Sequence, residues 1–132
     1  EPIEPTELPD DFYPDENQCS ENHRCNFTNN NEKTVILHIN ISNFNNLHQS
    51  SQNGAAIHLI DCGLNCKGSS FNNCESEHGG GGAVYIKNKF DISNNIILEK
   101  LTFSECKAVY GGAVYIYIYI YIFKLNAMQC FN

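Results

Sequence analysis

The sequence predicts an all-β fold: a right-handed parallel β-helix (solenoid) of about three coils, truncated at its C-terminal end. Three observations predict it. A segment recurs about every 30 residues, the mark of stacked units that cannot bury their apolar faces singly. Apolar and polar residues alternate with period two, as in strands with one buried face. Clusters of Asn, Ser and Gly between the alternating runs supply turns.

Residues 1–30 hold all four prolines (Pro2, Pro5, Pro9, Pro14) and an acidic run through Glu16. Such a stretch buries too little apolar surface to offset its ordering entropy and reads as an acidic leader or linker. Residues 31–132 carry the repeats. Val35, Leu37, Ile39 and Ile41 alternate with Thr34, Ile36, His38 and Asn40, which places the first four on one buried face. Phe71-Asn72-Asn73-Cys74, followed by Gly81-Gly82-Ala83-Val84-Tyr85-Ile86, returns as Phe103-Ser104-Glu105-Cys106 and Gly111-Gly112-Ala113-Val114-Tyr115-Ile116. A looser copy is Phe44-Asn45-Asn46-Leu47 with Gly54-Ala55-Ala56-Ile57-His58-Leu59, and a fourth starts at Phe131.

Aligned on phenylalanine, like residues form ladders at a strand spacing of about 4.8 Å. The inward ladders are Phe44–Phe71–Phe103, Leu47–Cys74–Cys106, Ile57–Val84–Val114, Leu59–Ile86–Ile116, Leu37–Leu64–Ile96 and Ile39–Cys66–Leu98. His58, Tyr85 and Tyr115 face outward. Small residues at Ala55, Gly82 and Gly112 are expected where the chain turns sharply against a stacked neighbour.

The run from Val109 to Phe123 would make a helix of only about 22 Å, short of a ~30 Å bilayer core, so it reads as a strand. Tyr115, Tyr117, Tyr119 and Tyr121 give it an aromatic outer face, which Tyr85 extends. Such a face serves as a partner surface, as a carbohydrate-stacking surface, or as a tyrosine ladder between coils.

The net charge is −7, charged residues are 17%, and Arg24 is the single arginine. This excludes a nucleic-acid partner, whose phosphates require clustered Lys and Arg, and disfavours anionic membranes. Seven cysteines cannot all pair, and Cys62 and Cys66 have no second close pair to complete a zinc site. Cys74 and Cys106 recur in register as small buried hydrophobes. Cys19 and Cys25, outside the repeats, are the pair expected to bond in an oxidising compartment. Asn26-Phe27-Thr28 and Asn40-Ile41-Ser42 match the glycosylation acceptor pattern.

Gly79 to Gly82 lead into a strand rather than a Lys-Ser or Lys-Thr and a helix, so they form no phosphate loop. A calcium-binding nonapeptide would need Asp where Val84 stands. The carboxylates Asp61, Glu75, Glu77, Asp91, Glu99 and Glu105 are scattered over the repeat, and the histidines share no register. No catalytic residue, metal ligand or cofactor is expected.

Gly81-Gly82-Ala83-Val84 and Gly111-Gly112-Ala113-Val114 resemble the GGA[ILV] element of the polymorphic membrane protein repeat. Phe71-Asn72-Asn73-Cys74 and Phe103-Ser104-Glu105-Cys106 correspond to its F-x-x-N element, with Cys for Asn. That Cys form is similar to Asn-rich surface proteins of parasitic protists such as trichomonads. The resemblance covers roughly residues 27–132 and implies a β-helix stalk exposed on a cell surface, with adhesion as its role. The expectation is therefore a fragment of an extracellular repeat protein that binds a host-cell or matrix protein or a glycan. It would catalyse nothing and meet a membrane only through other parts of its parent. The alternative is part of a polysaccharide lyase or hydrolase whose active site lies outside this fragment.

Overall fold

The computed structural model describes residues 8–21, 23–30, 33–89, 96–118, 121–125 and 130–131. Among them every regular element is a strand and no helix occurs. Strands β1 (Asp11–Phe12) and β2 (Cys25–Thr28) come first. Then follow β3 (Ile36–Asn40), β4 (Asn43–Asn45), β5 (His48–Gln49) and β6 (Ile57–Ile60). After these come β7 (Gly63–Lys67), β8 (Ser70–Asn72), β9 (Glu75–Gly80) and β10 (Val84–Asn88). The last parallel set is β11 (Ile96–Glu99), β12 (Leu101–Ser104), β13 (Lys107–Tyr110) and β14 (Val114–Ile118). Strands β15 (Tyr121–Leu125) and β16 (Cys130–Phe131) close the described chain.

These strands build four sheets, ordered β1-β3-β7-β11, β15-β14-β10-β6-β2, β16-β12-β8-β4 and β13-β9-β5. The chain visits the sheets in one order three times, and each strand pairs in parallel with its counterpart from the circuit before. The registers match the sequence alignment residue for residue: Leu37↔Leu64↔Ile96, Phe44↔Phe71↔Phe103, Ile57↔Val84↔Val114 and Leu59↔Ile86↔Ile116.

The physical reason is burial. Phe44, Phe71 and Phe103 are all but inaccessible, and consecutive rings stack at 5.0 Å with planes 4° and 13° apart. A one-residue slip would turn every such side chain toward solvent.

The corners repeat as well. Left-handed residues fall at Ile41, Gly68 and Lys100, at Asn46, Asn73 and Glu105, and at Gly54, Gly81 and Gly111. Corner N–H groups donate to the next circuit, Ile41 to Lys67 O at 2.9 Å, Asn46 to Asn72 O at 2.9 Å and Gly81 to Tyr110 O at 2.8 Å. Gly82, next to the left-handed Gly81, is required by space rather than by φ. A Cβ on Gly82 would overlap Gly112 O and stand 2.5 Å from Lys107 O.

Four expectations need correction. Ile41 is not inward: it is a left-handed corner (φ 48) and 85% exposed. The stretch read as a leader contributes two strands, β1 beside β3 and β2 beside β6, with Cys25 opposite Ile57 and Phe27 opposite Leu59. Five of its residues, Leu8, Phe12, Cys19, Cys25 and Phe27, lie in or against the core and supply the burial that composition seemed to deny. The Ile-Tyr tract is not one strand, because β15 turns back antiparallel along β14. Nor does Phe131 begin a fourth parallel unit, since β16 runs antiparallel to β12 with Phe131 opposite Leu101. Both antiparallel pairings satisfy hydrogen-bonding groups along strand edges.

Candidate interaction surface

The outer face of the sheet containing β6, β10 and β14 carries a polar-aromatic array in register. Asn26, His58, Tyr85 and Tyr115 occupy one register across four strands. The His58 and Tyr85 rings stack at 5.5 Å and 7°, and Tyr85 and Tyr115 at 5.4 Å and 8°. Gly80 makes room for them, since a Cβ there would lie 3.3 Å from Tyr115 Cγ and 3.5 Å from Tyr85 Cδ2. Tyr110, over half exposed, tilts against Tyr115 at 6.4 Å. Because the rings stack along the sheet, they spend their faces on one another and offer ring edges and phenol oxygens to solvent. Burial, then the neighbouring Tyr115, pushes the Tyr85 phenol up. Burial, then the Arg24 charge, pushes His58 down to about 4, so its ring is neutral at pH 7. Its Nδ1–H then donates to Asn26 Oδ1 at 2.8 Å.

Tyr117 registers with Lys87 on one side and Ile122 on the other. Tyr121 registers with Ile118 and so falls out of phase with Tyr115 and Tyr117. Tyr119 lies outside the described residues.

The structure also places residues that sequence reasoning passed over. Arg24, half-buried, donates from Nε to Gly54 O at 2.7 Å, from one terminal nitrogen to Gln52 Oε1 at 3.0 Å and from the other to Asn53 O at 2.5 Å. It thereby satisfies backbone oxygens at a corner, and nothing in its sequence setting signalled that. Tyr13 stacks on His38 at 4.6 Å and 13°, and His38 Nε2 meets Asp11 Oδ1 at 2.8 Å. The only sequence signal for this contact was the aromatic pair Phe12-Tyr13 inside a mostly polar stretch.

Cys19 and Cys25 are joined by a disulfide, with Cα atoms 4.7 Å apart. Glu21, in the loop they close, accepts from Asn45 Nδ2 at 3.1 Å. Cys62, Cys66, Cys74 and Cys106 are buried free thiols. Burial pushes Cys62 and Cys66 up to about 12, and the hydrogen bond with Cys106, together with burial, pushes Cys74 up. Cys74 and Cys106 Sγ point at the carbonyls of Phe44 and Phe71, at 3.7 and 3.4 Å. Held protonated, Cys62, Cys66 and Cys74 are poor nucleophiles.

His48 approaches Glu77 at 3.2 Å and Glu75 at 3.9 Å on an exposed face. Among the described residues no group of three His, Cys, Asp or Glu is placed to hold a metal ion. Asp61, Glu99 and Glu105 stand apart from that pair on other strands and corners, and Asp91 lies outside the described residues. No described helix is long and apolar enough to cross a membrane. The acceptor residues Asn26 and Asn40 are both exposed.

Comparison with family models, with curated proteins and with solved structures found no match to this chain.

Proposed function

We propose that this chain is a piece of right-handed parallel β-helix on the outside of a cell. Its role is structural and adhesive, and it performs no chemistry of its own. The observation that carries this reading is the stacking of like on like in successive circuits, Phe on Phe inside and His-Tyr-Tyr outside. Such an array makes a stiff column whose outer face repeats at strand spacing, suited to presenting a surface rather than enclosing a substrate. The likeness of the repeat motifs to polymorphic membrane proteins and protist surface proteins supports the location, as does a disulfide beside the first circuit. The partner is a host-cell or matrix protein, or a glycan, met by tyrosine edges and the polar rungs flanking them.

The test is labelling of intact native cells with a membrane-impermeant amine reagent. Exposed Lys67 and Lys87 should be modified without permeabilisation. Modification that appears only after the cells are opened overturns the extracellular reading.

A further inference from the structure

Asn26 and Asn40 each head an acceptor triplet, yet their settings differ. Asn26 sits within β2 on the flat outer face, its Oδ1 engaged by His58. Asn40 is the last residue of β3, just before the left-handed corner at Ile41. Ser42 Oγ donates to the Asn40 carbonyl at 3.2 Å while Ser69 Oγ accepts from the Ser42 N–H at 3.1 Å, so the triplet is held bent around that corner. A groove of about 210 Å³ opens beside it, walled by Tyr13, Pro14, His38, Asn40 and Ser42. Drug-sized ligand sites start at about 300 Å³, so this groove suits a single ring. Tyr13 brings a large aromatic surface to it, 67% exposed, with one face on His38.

We infer that Asn40 carries an N-linked glycan whose first sugar lies in this groove against Tyr13. The inference rests on the extracellular reading above. In the transfer, Asn40 Nδ2 bonds to the anomeric carbon of an oligosaccharide carried on a polyprenyl diphosphate. The carbon–oxygen bond to the diphosphate breaks, the lipid diphosphate leaves and one amide proton passes to base. The seated sugar presents its C–H face to the aromatic ring and excludes water from it. Its consequence is mechanical. Strand β1 has two residues, paired as Asp11↔Ile36 and Phe12↔Leu37, and a sugar bridging Asn40 to Tyr13 ties that short strand to β3.

The experiment expresses the whole chain behind a cleavable secretion signal in a eukaryotic host, with glycans trimmed to one N-acetylglucosamine. Glycopeptide mapping should find Asn40 occupied. The melting temperature of the trimmed protein should exceed that of Asn40→Gln by about 3 °C. In a Tyr13→Ala background the same comparison should show no difference while occupancy persists, whereas Asn26→Gln should leave it intact. An unmodified Asn40, or a gain that survives Tyr13→Ala, overturns the inference. Because the host supplies the secretory route, these outcomes are independent of where native cells place the protein.

Discussion

Phe71 is the middle ring of the internal stack, inaccessible to solvent and 5.0 Å from a ring on either side. Phe71→Ala removes its transfer free energy, leaves a cavity and breaks both stacking contacts. Buried Phe→Ala changes cost about 3–5 kcal/mol, and each aromatic pair contributes roughly 0.5–1.5 kcal/mol beyond area. With two such pairs, Phe71 belongs at the top of the range, about 5 kcal/mol. Phe44 stacks on one described ring and should cost about 1 kcal/mol less when truncated. The assay is urea unfolding followed by far-ultraviolet circular dichroism, with Phe71→Leu as a milder variant expected to lose about 1–2 kcal/mol. A double-mutant cycle between Phe71 and Phe103 should show a coupling of about 1 kcal/mol. A Phe71→Ala loss under about 1.5 kcal/mol, or strict additivity with Phe103→Ala, would mean the rings do not stack as described.

Gly82→Ala should cost more than about 3 kcal/mol in the same assay, because its Cβ would force apart the Gly112 and Lys107 backbones. Gly68→Ala should cost only about 1 kcal/mol, its φ of 60 being unfavourable while the nearest atom lies 3.6 Å away. Similar losses for the two would refute the crowding argument. Arg24→Met should cost about 2–3 kcal/mol by leaving the Gly54 and Asn53 carbonyls without a charged donor, and Arg24→Lys should rescue little of it. Full rescue by lysine would show that charge alone matters there. His58 has a folded pKa below its unfolded value, so the unfolded chain binds the extra proton. Stability is complete above about pH 6.5 and falls as the pH drops toward 4, by about 1 kcal/mol after allowance for solvent screening of a half-exposed ring. Thermal melts between pH 7 and 4 should steepen over that window, and His58→Gln should flatten them.

The repeats in this sequence carried an unusual amount of structural information. Period two, a recurring phenylalanine and paired glycines were enough to align Leu37 with Leu64 and Ile96, and Val84 with Val114, because stacking demands one apolar type at each inward position. The outward array of His58, Tyr85 and Tyr115 was legible for the same reason. Its chemical character was not, since only the inter-ring geometry reveals that the faces are spent on one another. Cys25 and Phe27 escaped detection because the segment holding them departs from the consensus: Arg24 occupies the register of Ala56 and Ala83, and no Gly-Gly precedes it.

By itself, then, the amino-acid order determined strand periodicity, rung identity and the pairing of one circuit with the next, all consequences of local alternation and a fixed repeat length. Only the tertiary structure decided what packs beside the first and last of these circuits. It brought Arg24 to the Gln52–Gly54 corner, set Tyr13 over His38, and turned the Ile-Tyr tract back on β14 rather than onward. Those choices depend on where unpaired edge groups and uncovered apolar surface lie after the repeats have stacked, and alternation within a segment carries no record of that.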